Sequence, residues 1–366
     1  PALPSGSTAR TPAEAAFVDA NSGVYRLGAG STLQAGYHHY LAEAHVYASQ
    51  SACDRCGAGG DLTWGETAFA TLPEAVASGA ARVLVHPGRY PQPFYLVSGL
   101  QVIGSGAETT IVEAPTSGSG NLVTAEGVAG ATLARLTLAG NANWSGLRVE
   151  GGAKNIRVTR NIIRGAATGL RTLGNSTVEV ANNTLVKNVN GMVAEGTTPV
   201  NVRNTLFAYN TGTGLTYGAP SSLTNNYNGF WGNTTHQSPL ASGQGNLVLD
   251  PRFASLQGDD YRLGARSPMI DKGAPNDPAP PGTGGRADIG YAEYNAAGFY
   301  ASTGYSQTGL NDGLTWGVDA FGTIQGALNA AASALRALQG ALPEGGYTVG
   351  VAAGTYAERV SVPSHV

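Results

Sequence analysis

Residues 146–163 read GLRVEGGAKNIRVTRNII, residues 169–185 read GLRTLGNSTVEVANNTL, residues 191–206 read GMVAEGTTPVNVRNTL and residues 214–226 read GLTYGAPSSLTNN. A glycine–apolar pair opens each stretch, at Gly146-Leu147, Gly169-Leu170, Gly191-Met192 and Gly214-Leu215, so the openings lie 23, 22 and 23 residues apart. Farther along each stretch comes an apolar alternation: Ile156/Val158, Val178/Val180, Val200/Val202, and more weakly Leu223. Period-two alternation of β-branched residues is the pattern of a short strand with one buried face. A third column follows, Asn161, Asn183, Asn204 and Asn226, spaced 22, 21 and 22.

Three columns that keep one period describe stacked coils of parallel strands, in which each residue lies above its equivalent at a rise of about 4.8 Å. Inward Val, Ile and Leu then fill a continuous core. Asparagines at a bend tolerate left-handed backbone, and their amides can bond along the stack. Earlier coils continue the pattern less regularly, at Leu96-Val97 with Leu100, Val102 and Ile103, and at Leu122-Val123 with Leu133, Leu136 and Leu138. After Trp231 the register loosens, and Asn246-Leu247-Val248-Leu249 reads as a last partial turn. The fold expected is an all-β solenoid with coils of about 22 residues.

A longer repeat contains the short one. Phe17 to Ala29 and Phe253 to Ala265 share Phe-(x)7-Tyr-Arg-Leu-Gly-Ala, 253 − 17 = 236 residues apart. Tyr47-Ala48-Ser49 recurs as Tyr300-Ala301-Ser302, and Leu62-Thr63-Trp64-Gly65 as Leu314-Thr315-Trp316-Gly317. Ala68-Phe69 returns as Ala320-Phe321, and Val85 to Tyr90 matches Val351 to Tyr356 in pattern. The chain therefore reads as the end of one unit (1–46), a complete unit (47–296) and the start of another (297–366). In the complete unit a cap helix is expected at about 71–79, coils at about 80–250 and a closing segment at 250–296. Thr71 with Pro73 and Glu74 is a capping-box start, and Thr323 precedes Ile324, Ala327, Leu328, Ala331 and Leu335 at helical spacing. A helix before the first coil would cover the open end of the core.

These residues resemble the secreted right-handed parallel β-helix repeat proteins of bacteria, within the pectate-lyase-like superfamily. The unit opening carries the likeness at Tyr300-Ala301-Ser302, Asp312 to Trp316, Thr323-Ile324-Gln325 and Gly354 to Glu358. The close carries it at Asp250-Pro251-Arg252-Phe253, Asp260 to Leu263, Ser267-Pro268, Ile270 to Gly273 and Asp288-Ile289-Gly290. The resemblance implies a right-handed parallel β-helix with a short capping helix at the start of each unit, placed outside the cell or on its surface. It implies no particular activity.

Composition agrees with a turn-rich fold: 53 of 366 residues are glycine and 12% are charged, about half the usual charged share. A net charge of −3 gives no footing for a nucleic-acid partner, and no apolar run approaches membrane-spanning length. Cys53 and Cys56 read as a local disulfide on a surface loop; zinc held with His38, His39 and His45 is the lesser alternative.

Enzymes of the resembled superfamily cleave acidic polysaccharides with clustered carboxylates, calcium and a basic residue, or with paired aspartates. Here no aspartate occurs between Asp61 and Asp250, and the regular coils carry only Glu126, Glu150, Glu179 and Glu195. Glu150 and Glu195 share a column two turns apart, roughly 9–10 Å, with Arg148 and Arg171 beside them; these four are the catalytic candidates. A charged face whose arginines and glutamates neutralise one another is the reading preferred. No cofactor is expected, and calcium at Asp250, Asp259, Asp260 and Asp271 is a further lesser alternative. Tyr227, Phe230 and Trp231 offer a sugar-stacking platform or, more simply, the closure of a core. Asn143, Asn175, Asn182 and Asn233 stand in glycosylation sequons. The function expected is a non-catalytic extracellular structural unit of a fibre, filament or stalk, with a polysaccharide lyase or hydrolase and a glycan-binding adhesin as rivals. The partners expected are copies of the chain head to tail, or further units of the same chain, with cell-surface or environmental glycans as a further class.

Overall fold

A computed structural model describes residues 17–19, 24–27, 43–57, 60–196, 200–218, 223–239, 243–264, 266–277, 286–294, 298–307, 311, 314, 316–317, 319–337, 348–352 and 354–362. His38, His39, Ala29, Ala265, Asp312, Thr315, Ala353 and the side chain of Leu335 lie outside the described residues.

Each coil visits three parallel sheets in turn. The first sheet holds nine strands, among them Arg82–Val85, Gln101–Gly104, Ile156–Thr159, Val178–Ala181, Val200–Arg203 and Leu223–Asn226. The second holds seven, from Gly88–Tyr90 and Thr110–Glu113 through Ile162–Arg164, Thr184–Val186 and Leu206–Ala208 to Gly229–Trp231. The third holds seven, from Phe94–Tyr95 and Gly120–Glu126 through Trp144–Glu150, Thr168–Thr172 and Asn190–Ala194 to Thr235–Ser238. From Arg82–Val85 onward, neighbours within a sheet come from successive coils, which is the topology of a parallel β-helix.

Register follows the apolar columns. Val158, Val180 and Val202 pair in sequence and are wholly buried. Leu138, Ile163, Leu185, Phe207 and Phe230 form the inward column of the second sheet, and Leu147, Leu170, Met192 and Leu215 that of the third. Each fully buried side chain of this size contributes about 1.5–3 kcal/mol by leaving water. The glycine before each third-sheet residue is required by close approach. A Cβ on Gly169 would lie 2.5 Å from the Gly191 carbonyl oxygen, and one on Gly191 2.4 Å from that of Gly214.

The single asparagine column expected from the sequence divides among three positions. Asn161 and Asn183 stack: the Asn161 backbone N–H and Nδ2 both donate to Asn183 Oδ1, at 3.0 and 3.1 Å, while Asn183 Nδ2 donates to the Val158 carbonyl at 2.8 Å. The next rung is Thr205, whose N–H donates to Asn228 Oδ1 at 2.8 Å, and Asn228 N–H in turn reaches Asn246 Oδ1. Asn204 stands one place earlier, in a left-handed column with Arg135, Arg160, Asn182 and Tyr227, at φ between 48° and 60°. Asn226 lies on a strand opposite Arg203. Asparagine suits both the amide rung and the left-handed position beside it, so equal spacing placed neighbours from different columns in one. A second ladder, Asn188, Asn210 and Asn233, lines the opposite corner of the second sheet. There Asn188 N–H reaches Asn210 Oδ1 and Asn210 N–H reaches Asn233 Oδ1, both at 3.0 Å, and the three Nδ2 groups donate to the Ile163, Leu185 and Phe207 carbonyls.

Helix Leu72–Ala77 covers the first coil. Thr71 accepts from the Glu74 N–H and Glu74 from the Thr71 N–H, closing a capping box, and Leu72 and Ala75 face the core. Helix Ile324–Ala337 begins at the equivalent Thr323, which accepts from Gly326 N–H. With glycine in the place of Glu74, the carboxylate comes from Glu358, which accepts from the N–H groups of Ile324 and Gln325 at 2.7 and 3.0 Å.

The long repeat has structural counterparts. Phe17–Asp19 and Val24–Leu27 form an antiparallel hairpin with Phe17 opposite Leu27; Phe253–Ser255 and Asp260–Leu263 form another with Phe253 opposite Leu263. Tyr90 donates its hydroxyl to the Val46 and His86 carbonyls, and Tyr356 to those of Ala301 and Ala352. Ala301 therefore stands where Val46 does, and Tyr47-Ala48-Ser49 and Tyr300-Ala301-Ser302 are alike in letters but two residues out of register. A shift of two keeps every side chain on its own face, so hydrophobic patterning alone does not reveal it.

The second sheet is apolar on its outer side too. Ile162, Val186, Leu206 and Ala208 are buried beneath Tyr261, Leu263, Met269, Ile289 and Tyr291. The hairpin 253–263 and the closing segment thus form a second layer along the coil flank. The left-handed column seats that segment. Asn204 Oδ1 accepts from Ala274 N–H, Asn182 Nδ2 donates to the Asp288 carbonyl, and Arg160 pairs with Glu293 at 3.3 Å.

Candidate functional site

The third sheet's outer face carries the catalytic candidates. Glu126 and Glu150 are in register, Arg148 lies opposite Arg171, and Leu173 separates Glu150 from Glu195 in the column. Arg148 donates to Glu150 at 2.6 Å and Arg171 to Glu195 at 2.9 Å. The structure brings each carboxylate to an arginine rather than to the other carboxylate. On the first sheet Glu179 is bridged from both neighbouring coils, by Arg157 at 3.1 Å and Arg203 at 2.7 Å. Burial alone would raise the Glu179 carboxyl, but the two arginines hold it below its ordinary value. Arg203 also binds Asp277, tying the coil flank to the closing segment.

A groove of about 570 Å³ runs between the second sheet and the hairpin, with Arg89, Glu108, Thr109, Arg164, Asp259, Asp260, Arg262 and Asp319 among its lining residues. Asp259 accepts from Lys187 at 2.8 Å and from the Tyr261 hydroxyl at 2.5 Å, with Arg164 at 3.2 Å. Burial opposes these contacts, yet Asp259 stays below the ordinary aspartate value; the Arg262 hydrogen bond does the same for Asp260. Both are ionised at neutral pH and already hydrogen-bonded, so neither is suited to deliver a proton to a leaving group.

The aspartates considered for calcium do not converge. Asp250 accepts from Arg252 N–H, Asp259 and Asp260 pair with basic side chains, and the Asp271 N–H donates to Asp288. Among the described residues no group of three acidic, histidine or cysteine side chains is arranged to hold a metal ion. Cys53 and Cys56 are joined by a disulfide. His45 instead meets His86, nitrogen to nitrogen at 3.0 Å, and Glu43 at 3.2 Å, while His86 stacks on Tyr47 at 3.8 Å. Burial, with the neighbouring His45, pushes His86 down to about 4, so it stays neutral in the packed cap.

The aromatic candidates part company. Phe230 is buried and stacks on Phe207 at 5.2 Å, and Tyr227 lies beneath the Arg286 guanidinium. Of the sequons, Asn182 and Asn233 are buried, whereas Asn143 and Asn175 are exposed. Sequence reasoning missed the buried group at the closing segment. Burial pushes Asp288 up to about 6 and Glu293 up to about 7, the latter despite Arg160. Lone acidic residues more than a hundred positions from Arg160 gave no spacing signal.

Residues 98–250 match a family model described as right handed beta helix region. The stacked sheets and this match together define a right-handed parallel β-helix. Among solved structures the chain is similar to the pectate lyase Pel9A, with 13% identity and a TM-score of 0.34, over 58% of this chain and 88% of that one. No curated protein gives a significant match.

Proposed function

We propose that the chain is a non-catalytic, extracellular structural protein, a β-helical unit of a fibre, filament or cell-surface stalk. The observation that carries this reading is the use of the coil carboxylates. Glu113, Glu150, Glu179 and Glu195 each hold an arginine, and in Glu113, Glu179 and Glu195 the partner comes from another coil. Carboxylates paired in this way are not poised for acid–base work, and the inter-coil pairs fasten neighbouring coils together. The disulfide supports an oxidising location.

A glycan-binding role is the second reading, favoured by the mixed-charge groove beneath the hairpin. Incubation with polygalacturonate, alginate and other uronic-acid polymers, with and without calcium, tests the first. No unsaturated or reducing ends are expected; their release, growing with protein concentration, would overturn it. Retention of intact oligosaccharide, lost on Arg164→Ala, would favour the second.

A further inference from the structure

The closing segment does not continue the axis of the coil stack. Its first part meets the coil of Asn204, through Gly273, Ala274 and Asp277. Its return stretch pairs with that part, Ile289 N–H to the Met269 carbonyl, and then moves back along the flank. Gly290 N–H donates to the Asn204 carbonyl, Tyr291 N–H to Thr184 Oγ1 one coil earlier, and Glu293 meets Arg160 one coil earlier again. The Tyr291 hydroxyl reaches Glu108 at 2.9 Å, nearer still to the start of the stack.

The next repeat opens where that path leads. Tyr300 N–H donates to the Asp319 carbonyl at 2.8 Å, as His45 N–H donates to that of Thr67 in the first repeat, so Asp319 and Thr67 are equivalent. Asp319 lines the same groove as Arg89, Glu108 and Thr109, which belong to the opening coils. Arg135, nearly buried in the left-handed column, is pushed down to about 10 by burial, opposed by the charges of Glu108 and Asp319.

We propose that successive repeats lie side by side, with the flank of one coil stack at Arg89, Glu108 and Thr109 seating the opening segment of the following repeat at Asp319. This rests on the reading of the chain as tandem structural units, and it replaces an end-to-end stack of coils with a lateral array. In such an array the span added per unit is the width of a coil stack plus its closing layer, not its length. The Thr67 edge of each repeat then faces the flank of the unit before it.

The two cysteines are joined to each other, so introduced cysteines take spin labels uniquely. One double variant carries Thr109→Cys with Asp319→Cys, and another carries Val248→Cys with Asp319→Cys. Thr109 and Val248 are exposed. Strand Thr110–Glu113 lies five sheet neighbours from Gly229–Trp231, an axial offset of about 24 Å at the usual strand spacing. Side-by-side repeats make the 109–319 distance the shorter by on the order of 20 Å. Equal distances, or a shorter 248–319 distance, would overturn the proposal. Labels at exposed Thr303, whose neighbour Ser302 donates to the Phe321 carbonyl, should give the same order if Asp319→Cys disturbs the groove. Glycan cleavage by the chain would refute the structural reading while leaving these distances as expected, so the two failures are separable.

Discussion

Asn183→Leu removes the centre of an amide ladder while keeping the side chain's approximate bulk. Asn183 is wholly buried and its side chain makes four hydrogen bonds. It accepts from the Asn161 N–H and Nδ2, and donates to the Val158 and Ala181 carbonyls. After substitution Asn161 Nδ2 keeps the Leu133 carbonyl, but the Asn161 N–H has no acceptor. One orphaned buried N–H costs about 1–3 kcal/mol, and each carbonyl that loses a donor about 1 kcal/mol more. The expected loss is therefore about 3–5 kcal/mol. Urea unfolding followed by circular dichroism reads it as a lowered midpoint, and equal slopes confirm that the same surface is exposed. Asn143→Leu, at an exposed loop position, should stay within about 0.5 kcal/mol of the parent. If both variants unfold alike, the ladder is not a source of stability and the argument from buried amides fails.

Val180→Asp places a carboxylate between Val158 and Val202 in the core and should destabilise by about 4 kcal/mol or more; an unchanged melting curve would reject the register. Gly169→Ala forces a Cβ to 2.5 Å from the Gly191 carbonyl oxygen and should cost about 1–3 kcal/mol through overpacking, read by the same denaturant titration. The closing segment should loosen as pH rises. Asp288 and Glu293 have folded values raised to about 6 and about 7, so the folded state holds more protons than the unfolded one between their ordinary values and these. Their stabilisation is fully present below the ordinary carboxylate range and is lost as pH rises through 6 to 7. Thermal midpoints should fall from about pH 5 to about pH 8, and Glu293→Gln should flatten that dependence; an unaltered profile in the variant would contradict the assignment.

The coil stack was legible because its signal is repeated. Gly146, Gly169, Gly191 and Gly214 recur where neighbouring backbones touch, and Val158, Val180 and Val202 recur where the core must be filled. The asparagine rungs were legible only in part. Asn182, Asn183, Asn188, Asn204 and Asn210 crowd around two corners, and a period of 21 to 23 residues cannot assign each to a rung or to the left-handed place beside it. Missed altogether was the outer burial of the second sheet. Its signal was present in adjacent apolar pairs, Ile162-Ile163, Leu185-Val186 and Leu206-Phe207, which break alternation as a strand covered on both faces does. The segment that covers it was read as an ending, because Asp288, Tyr291 and Glu293 have no periodic relation to Asn182, Glu108 and Arg160.

The central claim is that the coil-face glutamates are engaged by arginines and perform no chemistry. Product release from uronic-acid polymers by the Glu150→Gln/Glu195→Gln double variant, set beside the parent chain, tests it most directly. No release is expected from either protein. The melting temperature should fall by no more than a few degrees, since the two partly exposed ion pairs are worth about 0–1 kcal/mol each. Products made by the parent chain and lost in the double variant would contradict it.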